Sequence, residues 1–135
     1  MTYETGTHGF RRLYRASLNT VRGLRAATIS EAALREELIL LCIGIPAGLF
    51  LAPSVGWYVA MIGVLLLVLA IELLNTGIEI LCDHVTPEFH PTIGVVKDVG
   101  SAAVFCGLCF AVLVWAGAAI VKLALMAKAH ILLGI

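Results

Sequence analysis

Charge is scarce in this sequence. Only 13% of its 135 residues are Asp, Glu, Lys or Arg, about half the ~25% usual in soluble domains. Residues 38–71 contain none at all, and neither do residues 99–121. Hydrophobic residues make up 61%, and the mean hydropathy is +1.02. A chain this short has too much surface, relative to its volume, to hide that much apolar material from water. A soluble globule is therefore excluded. An uncharged run of ~20 residues or more is long enough to cross a bilayer as a helix, so the expected class is an all-α integral membrane protein of one domain.

Other absences narrow the function. Net charge is zero, so nothing points to nucleic acid as a partner. No GxxxxGK[ST] or GxGxxG occurs, and the motif set of protein kinases is missing. The Arg-rich N-terminus is not followed by an apolar core and a small-residue cleavage site, so no cleavable signal peptide is expected. Internal repeats and low-complexity segments are lacking. The four cysteines are Cys42, Cys82, Cys106 and Cys109. Cys106 and Cys109 form a CxxC, but inside an apolar run without other ligands they read as small hydrophobes.

What is present has a clear order. Residues 1–9 are expected to be unstructured. Over residues 10–28, Arg11, Arg15 and Arg22 share one side while Phe10, Leu13, Ser17, Val21 and Leu24 gather on another, the pattern of a helix lying in a membrane interface. Thr28 and Glu31 have the spacing of a capping box, which predicts a helix over 31–52 that starts polar and turns wholly apolar from Leu38. Pro46 lies inside it, as membrane helices tolerate. Pro53 to Gly56 predicts a turn, with Trp57 and Tyr58 as interfacial anchors. A second span is expected over 57–82. Asp83 to Asp98, with Pro87, Pro91 and Gly94, reads as a polar loop. A third span is expected over 99–127, opened by Gly100, Ser101, Ala102 and Ala103, small residues that let helices approach. Seven of the nine basic residues lie in the N-terminal region and the second loop, which puts both on the cytoplasmic side.

The chemistry concentrates at the end of the second span. At ~100° per residue, Glu72, Asn75, Glu79 and Asp83 fall within an arc of about 80° and form one polar stripe. A carboxylate as deep as Glu72 costs about 2.5–3.5 kcal/mol on insertion scales, so it must face the bundle interior or water. Partly desolvated carboxylates hold protons more readily, which suits a general base near neutral pH. Glu79 with Glu31 forms a pair of the kind that binds Mg²⁺ together with substrate phosphates, and Lys97 beside Asp98 adds an ammonium that seeks phosphate. These residues indicate phosphoryl transfer or cation handling without choosing between them. His84, Glu88 and His90 lack a second ligand cluster and read as loop polarity.

Gly23-Leu-Arg-Ala-Ala27, Glu31-Ala-Ala-Leu-Arg-Glu-Glu37, Ile71-Glu-Leu-Leu-Asn-Thr-Gly-Ile-Glu79 and Lys97-Asp-Val-Gly-Ser-Ala-Ala103 resemble the prokaryotic diacylglycerol kinase family. The resemblance implies a homotrimer with an interfacial N-terminal helix and three membrane helices per subunit, in the bacterial inner membrane with its N-terminus cytoplasmic. It implies ATP as co-substrate, Mg²⁺ as cofactor, and diacylglycerol as the lipid acceptor, at sites shared between subunits. By the family pattern Glu72 is the general base and Asn75 orients the base or substrate. Glu31 and Glu79 hold the metal. Lys97 and Asp98 contact the nucleotide, with Arg12, Asn19, Glu88 and His90 nearby. Arg12, Arg25, Arg35 and Ser101 join Glu72 on the lipid side. The chain departs from the family pattern at Val21, Thr28 and Val95. An undecaprenol kinase is the sister alternative. A small ion- or proton-coupled transporter, with Glu72 and Glu79 as a relay, and a scaffold protein are the alternatives of other classes.

Overall fold

The computed structural model describes residues 6–88 and 90–134, and every regular element among them is an α-helix. Four follow in order: α1 (Gly6–Ser30), α2 (Ala32–Leu51), α3 (Val55–Val85) and α4 (Pro91–Leu133). Helix α3 packs against α4 on one side and α2 on the other, and α1 touches the group through its C-terminal turns. Helices α3 and α4 are each long and apolar enough to cross a membrane. In α2 the apolar stretch begins only after Arg35, Glu36 and Glu37.

Several boundaries differ from the sequence reading, each for a local reason. Of the stretch expected to be unstructured, residues 1–5 lie outside the described residues, whereas 6–9 already belong to α1. The capping box does not form. Thr28 is still helical, and its hydroxyl donates to the Leu24 carbonyl at 2.6 Å, a common use of Thr inside a helix. Glu31 occupies the break itself, extended at φ −112 and ψ 128, and its side chain makes no capping bond to α2. The second loop is shorter than expected. Helix α3 continues through Asp83 to Val85, and α4 begins at Pro91. Proline fits the first turn of a helix, where its missing N–H has no partner to lose.

The inward faces repeat regularly. On α3 the buried residues are Met61, Val64, Leu65, Val68, Glu72, Asn75, Thr76 and Cys82. This single face is apolar as far as Val68 and polar from Glu72 onward. Ala111 of α4 joins Val64, Leu65 and Val68 in the apolar core, with Leu41, Val114 and Trp115 packed against it. The Trp115 indole donates to the Met61 carbonyl at 3.2 Å. Trp57 and Tyr58, expected as interfacial anchors, are half-buried against Gly117 and Gly48, whose missing side chains make room for the rings. The outer faces remain strongly apolar, with Leu66, Leu74, Phe105, Val112, Leu113 and Ile120 at least half exposed. Such surfaces need lipid or another protein against them.

Candidate active site

The polar half of the α3 stripe faces a cavity of about 300 Å³ lined by Glu31, Ala33, Glu72, Asn75, Glu79, Ser101 and Val104. Three elements build it. The break before α2 supplies Glu31, the inward face of α3 supplies two carboxylates and an amide, and the start of α4 supplies Ser101. Glu72 is only 5% exposed and lies directly above the apolar core face. It is near enough to Glu31, Glu79 and Glu37 to feel their charges. Glu79 is half-buried and nearer the end of the helix.

Asn75 is 8% exposed. Its amide donates to Glu79 Oε1 at 3.2 Å, so the group that it orients is Glu79. Its own Oδ1 is buried without a hydrogen-bond partner, as is the Thr76 hydroxyl one residue on. The Asn75 Oδ1 lies directly against Gly100 of α4, where the missing side chain makes room for it.

The donor set suits a hard divalent cation. Carboxylates and amide oxygens are ligands that Mg²⁺ accepts. Among the described residues no three His, Cys, Asp or Glu are grouped closely enough to hold an ion alone. Glu31 and Glu79 therefore suit a metal that takes its remaining ligands from phosphate oxygens and water.

The other expected site residues fall into three groups. Lys97, at the start of α4, donates to Asp83 Oδ1 at 2.5 Å and lies within electrostatic reach of Glu79. Arg12, Asn19, Arg25, Glu88, His90 and Asp98 are exposed and do not line the cavity. Arg35 is occupied elsewhere. Its guanidinium donates to the carbonyls of Thr28 at 3.0 Å and Ile29 at 3.4 Å, which satisfies the C-terminal end of α1 and complements its dipole.

Glu37 was missed by the sequence reading. One of its carboxylate oxygens is buried and has no hydrogen-bond partner, and it lies within electrostatic reach of Glu72. The signal was a period. Leu34, Gly44 and Gly48 are the buried positions of α2, and Glu37 and Leu41 complete their i, i+3, i+7, i+10, i+14 series.

Comparison with known proteins gives a consistent picture. A family model described as prokaryotic diacylglycerol kinase matches residues 18–120, a range that contains every residue lining the polar cavity. The protein named diacylglycerol kinase from Haemophilus influenzae is 40% identical over 111 residues, covering 82% of this chain and 94% of that protein. The diacylglycerol kinase of Escherichia coli is 37% identical over 109 residues, covering 81% and 89%. That of Pseudomonas aeruginosa is 40% identical over 111 residues, covering 82% and 90%.

Proposed function

This chain belongs to the prokaryotic diacylglycerol kinase family, and from that premise we propose that it transfers the γ-phosphoryl group of ATP to the free hydroxyl of diacylglycerol at the membrane surface. The observation that carries this reading is the cavity that gathers Glu31, Glu72, Asn75, Glu79 and Ser101 at the point where the inward face of α3 changes from apolar to polar. A lipid hydroxyl arriving from the bilayer meets Glu72, and a nucleotide arriving from water meets Glu79.

A lipid hydroxyl is a poor nucleophile, so the protein's task is positioning, charge neutralisation and removal of one proton. Glu72 is the base. As the hydroxyl oxygen bonds to the γ-phosphorus, the bond from that phosphorus to the β–γ bridging oxygen breaks. ADP leaves with the electron pair, and the hydroxyl proton passes to a carboxylate oxygen of Glu72. Glu31 and Glu79 are the residues that would hold Mg²⁺, which when bound would neutralise charge on the phosphate oxygens. Asn75 keeps the Glu79 carboxylate turned into the cavity through the bond between their side chains. Ser101 lies beside the lipid hydroxyl, and Lys97 and Asp98 contact the nucleotide with Arg12, Asn19, Glu88 and His90 around them. Arg25 and Arg35 stay on the lipid side.

In this reading α2, α3 and α4 cross the inner membrane and α1 lies in its cytoplasmic interface, where Arg11, Arg12, Arg15, Arg22 and Arg25 meet anionic headgroups. A transport path is disfavoured. The α3 face beyond Glu72 continues as Val68, Leu65 and Met61, all buried, and offers nothing polar to pass an ion along.

The test uses purified protein in mixed micelles, given Mg-ATP labelled at the γ-phosphate together with diacylglycerol or undecaprenol. Labelled phosphatidic acid is expected. Label in undecaprenol alone would overturn the acceptor, and label in neither lipid, with folded protein, would overturn the kinase reading.

The active assembly is a homotrimer, with sites shared between subunits. Gly63, Ala70 and Gly77 recur every seven residues on the exposed side of α3, and neither glycine has a neighbour within 4 Å of where a side chain would be. Small residues at that spacing let copies of a helix pack closely. The double substitution Gly63→Leu with Ala70→Leu is therefore expected to shift the protein from trimer to monomer in light scattering of the detergent complex. A trimer unchanged in mass would rule out this face as the contact.

A further inference from the structure

The ion pair between Lys97 and Asp83 joins the start of α4 to the end of α3, and it is the one salt bridge among the described residues. Asp83 lies four residues beyond Glu79, on the same arc of α3 as the carboxylates of the cavity. Lys97 reaches it from the neighbouring helix at 2.5 Å and also feels the charge of Glu79. Its ammonium is thereby held over the water-side end of the polar stripe, although the side chain is a third exposed and has a flexible four-carbon stem that could otherwise extend into solvent.

We propose that Asp83 is a positioning residue for the nucleotide: it fixes the Lys97 ammonium where the ATP phosphates arrive above Glu79. The proposal rests on the kinase reading given above. An ammonium has three N–H donors. Asp83 takes one of them, and the others stay free for phosphate oxygens, so the ion pair need not break when nucleotide binds.

The sign of one measurement separates positioning from simple charge. Asp83 is an anion close to a site that must accept a more strongly charged anion. If its only influence were repulsion, Asp83→Ala would lower KM for Mg-ATP. Positioning gives the opposite result. Asp83→Ala is expected to raise KM for Mg-ATP about tenfold, the order of effect expected when a charged hydrogen-bonding group loses its orientation. The KM for diacylglycerol and the kcat at saturating ATP should stay within about twofold. Asp83→Glu should recover most of the loss, because its carboxylate can reach the same ammonium.

The deciding experiment is the double-mutant cycle with Lys97→Ala. If Asp83 acts through Lys97, adding Asp83→Ala to Lys97→Ala changes KM for Mg-ATP no further. An unchanged or lowered KM in the single variant would overturn the proposal. So would the same tenfold rise in the Lys97→Ala background, since Asp83 would then act on something else. Wild-type protein that phosphorylates neither lipid would instead remove the kinase reading itself, and the two failures are distinguishable in one series of assays.

Discussion

Glu72→Gln is expected to remove lipid phosphorylation, lowering kcat by roughly 10²–10⁴-fold, while Mg-ATP binding changes by less than about threefold. Glutamine keeps the shape of the side chain and one oxygen acceptor, but it cannot take the proton of the lipid hydroxyl. Nucleotide binding is preserved because Glu31 and Glu79 are untouched and lie on the water side of the cavity. Stability provides an internal control. Glu72 is buried among Glu31, Glu37 and Glu79, and like charges gathered away from water are unfavourable. Replacing it with a neutral amide should therefore leave the melting temperature in detergent unchanged or higher. Lost turnover with retained or raised stability is the signature of a group kept for chemistry. The assignment fails if ATP binding disappears while turnover at saturating ATP is normal, or if the melting temperature falls along with activity.

The same stripe marks how far the sequence could be read. A helix has one period, so Glu72, Asn75, Glu79 and Asp83 could be placed on one face without coordinates, and the uncharged runs announced α3 and α4. Contacts between helices were less accessible. Lys97 and Asp83 are separated by 14 positions, and nothing in either residue names the other. Asn75 was read as orienting the base or substrate, and in the structure its amide donates to Glu79; the choice between carboxylates one turn away in either direction depends on its rotamer. Charge also misled in two places. The acidic opening of α2 was read only as a polar start, and it concealed Glu37 on the inward period of that helix. Polar residues with two prolines and a glycine suggested a loop from Asp83 to Asp98, yet only residues 86–90 separate the helices. Arg35 was read as a lipid contact, and its bonds to the carbonyls at the end of α1 were not foreseen. A basic side chain near a helix C-terminus has two possible partners, and sequence does not rank them.

The second large effect is expected at a residue without a side chain, Gly100. Alanine is normally the better helix residue by about 1 kcal/mol, so by propensity alone Gly100→Ala should stabilise α4. Here the new methyl would fall well inside contact distance of Asn75 Oδ1 and at 3.2 Å from Asn75 Cγ. Exchanging the amide oxygen and nitrogen would not relieve this, because either atom occupies the same space. Asn75 is 8% exposed and the open space beside it is the polar cavity, so either α3 and α4 separate or the amide swings and leaves Glu79. Forcing a methyl into such a contact costs about 1–3 kcal/mol. The functional loss should be larger. A displacement of ~1 Å at a positioning group is worth about 10²-fold in rate, and the displaced amide is the one that turns Glu79 into the cavity. Gly94→Ala on the same helix separates the two contributions, since nothing lies within 4 Å of the added methyl there. It should leave the melting temperature level or slightly raised, whereas Gly100→Ala lowers it and cuts turnover at saturating diacylglycerol and ATP. A Gly100→Ala protein as stable and active as wild type would mean that α4 does not rest on Asn75. The close contact between those helices, and with it the geometry given to Glu79, would then have to be abandoned.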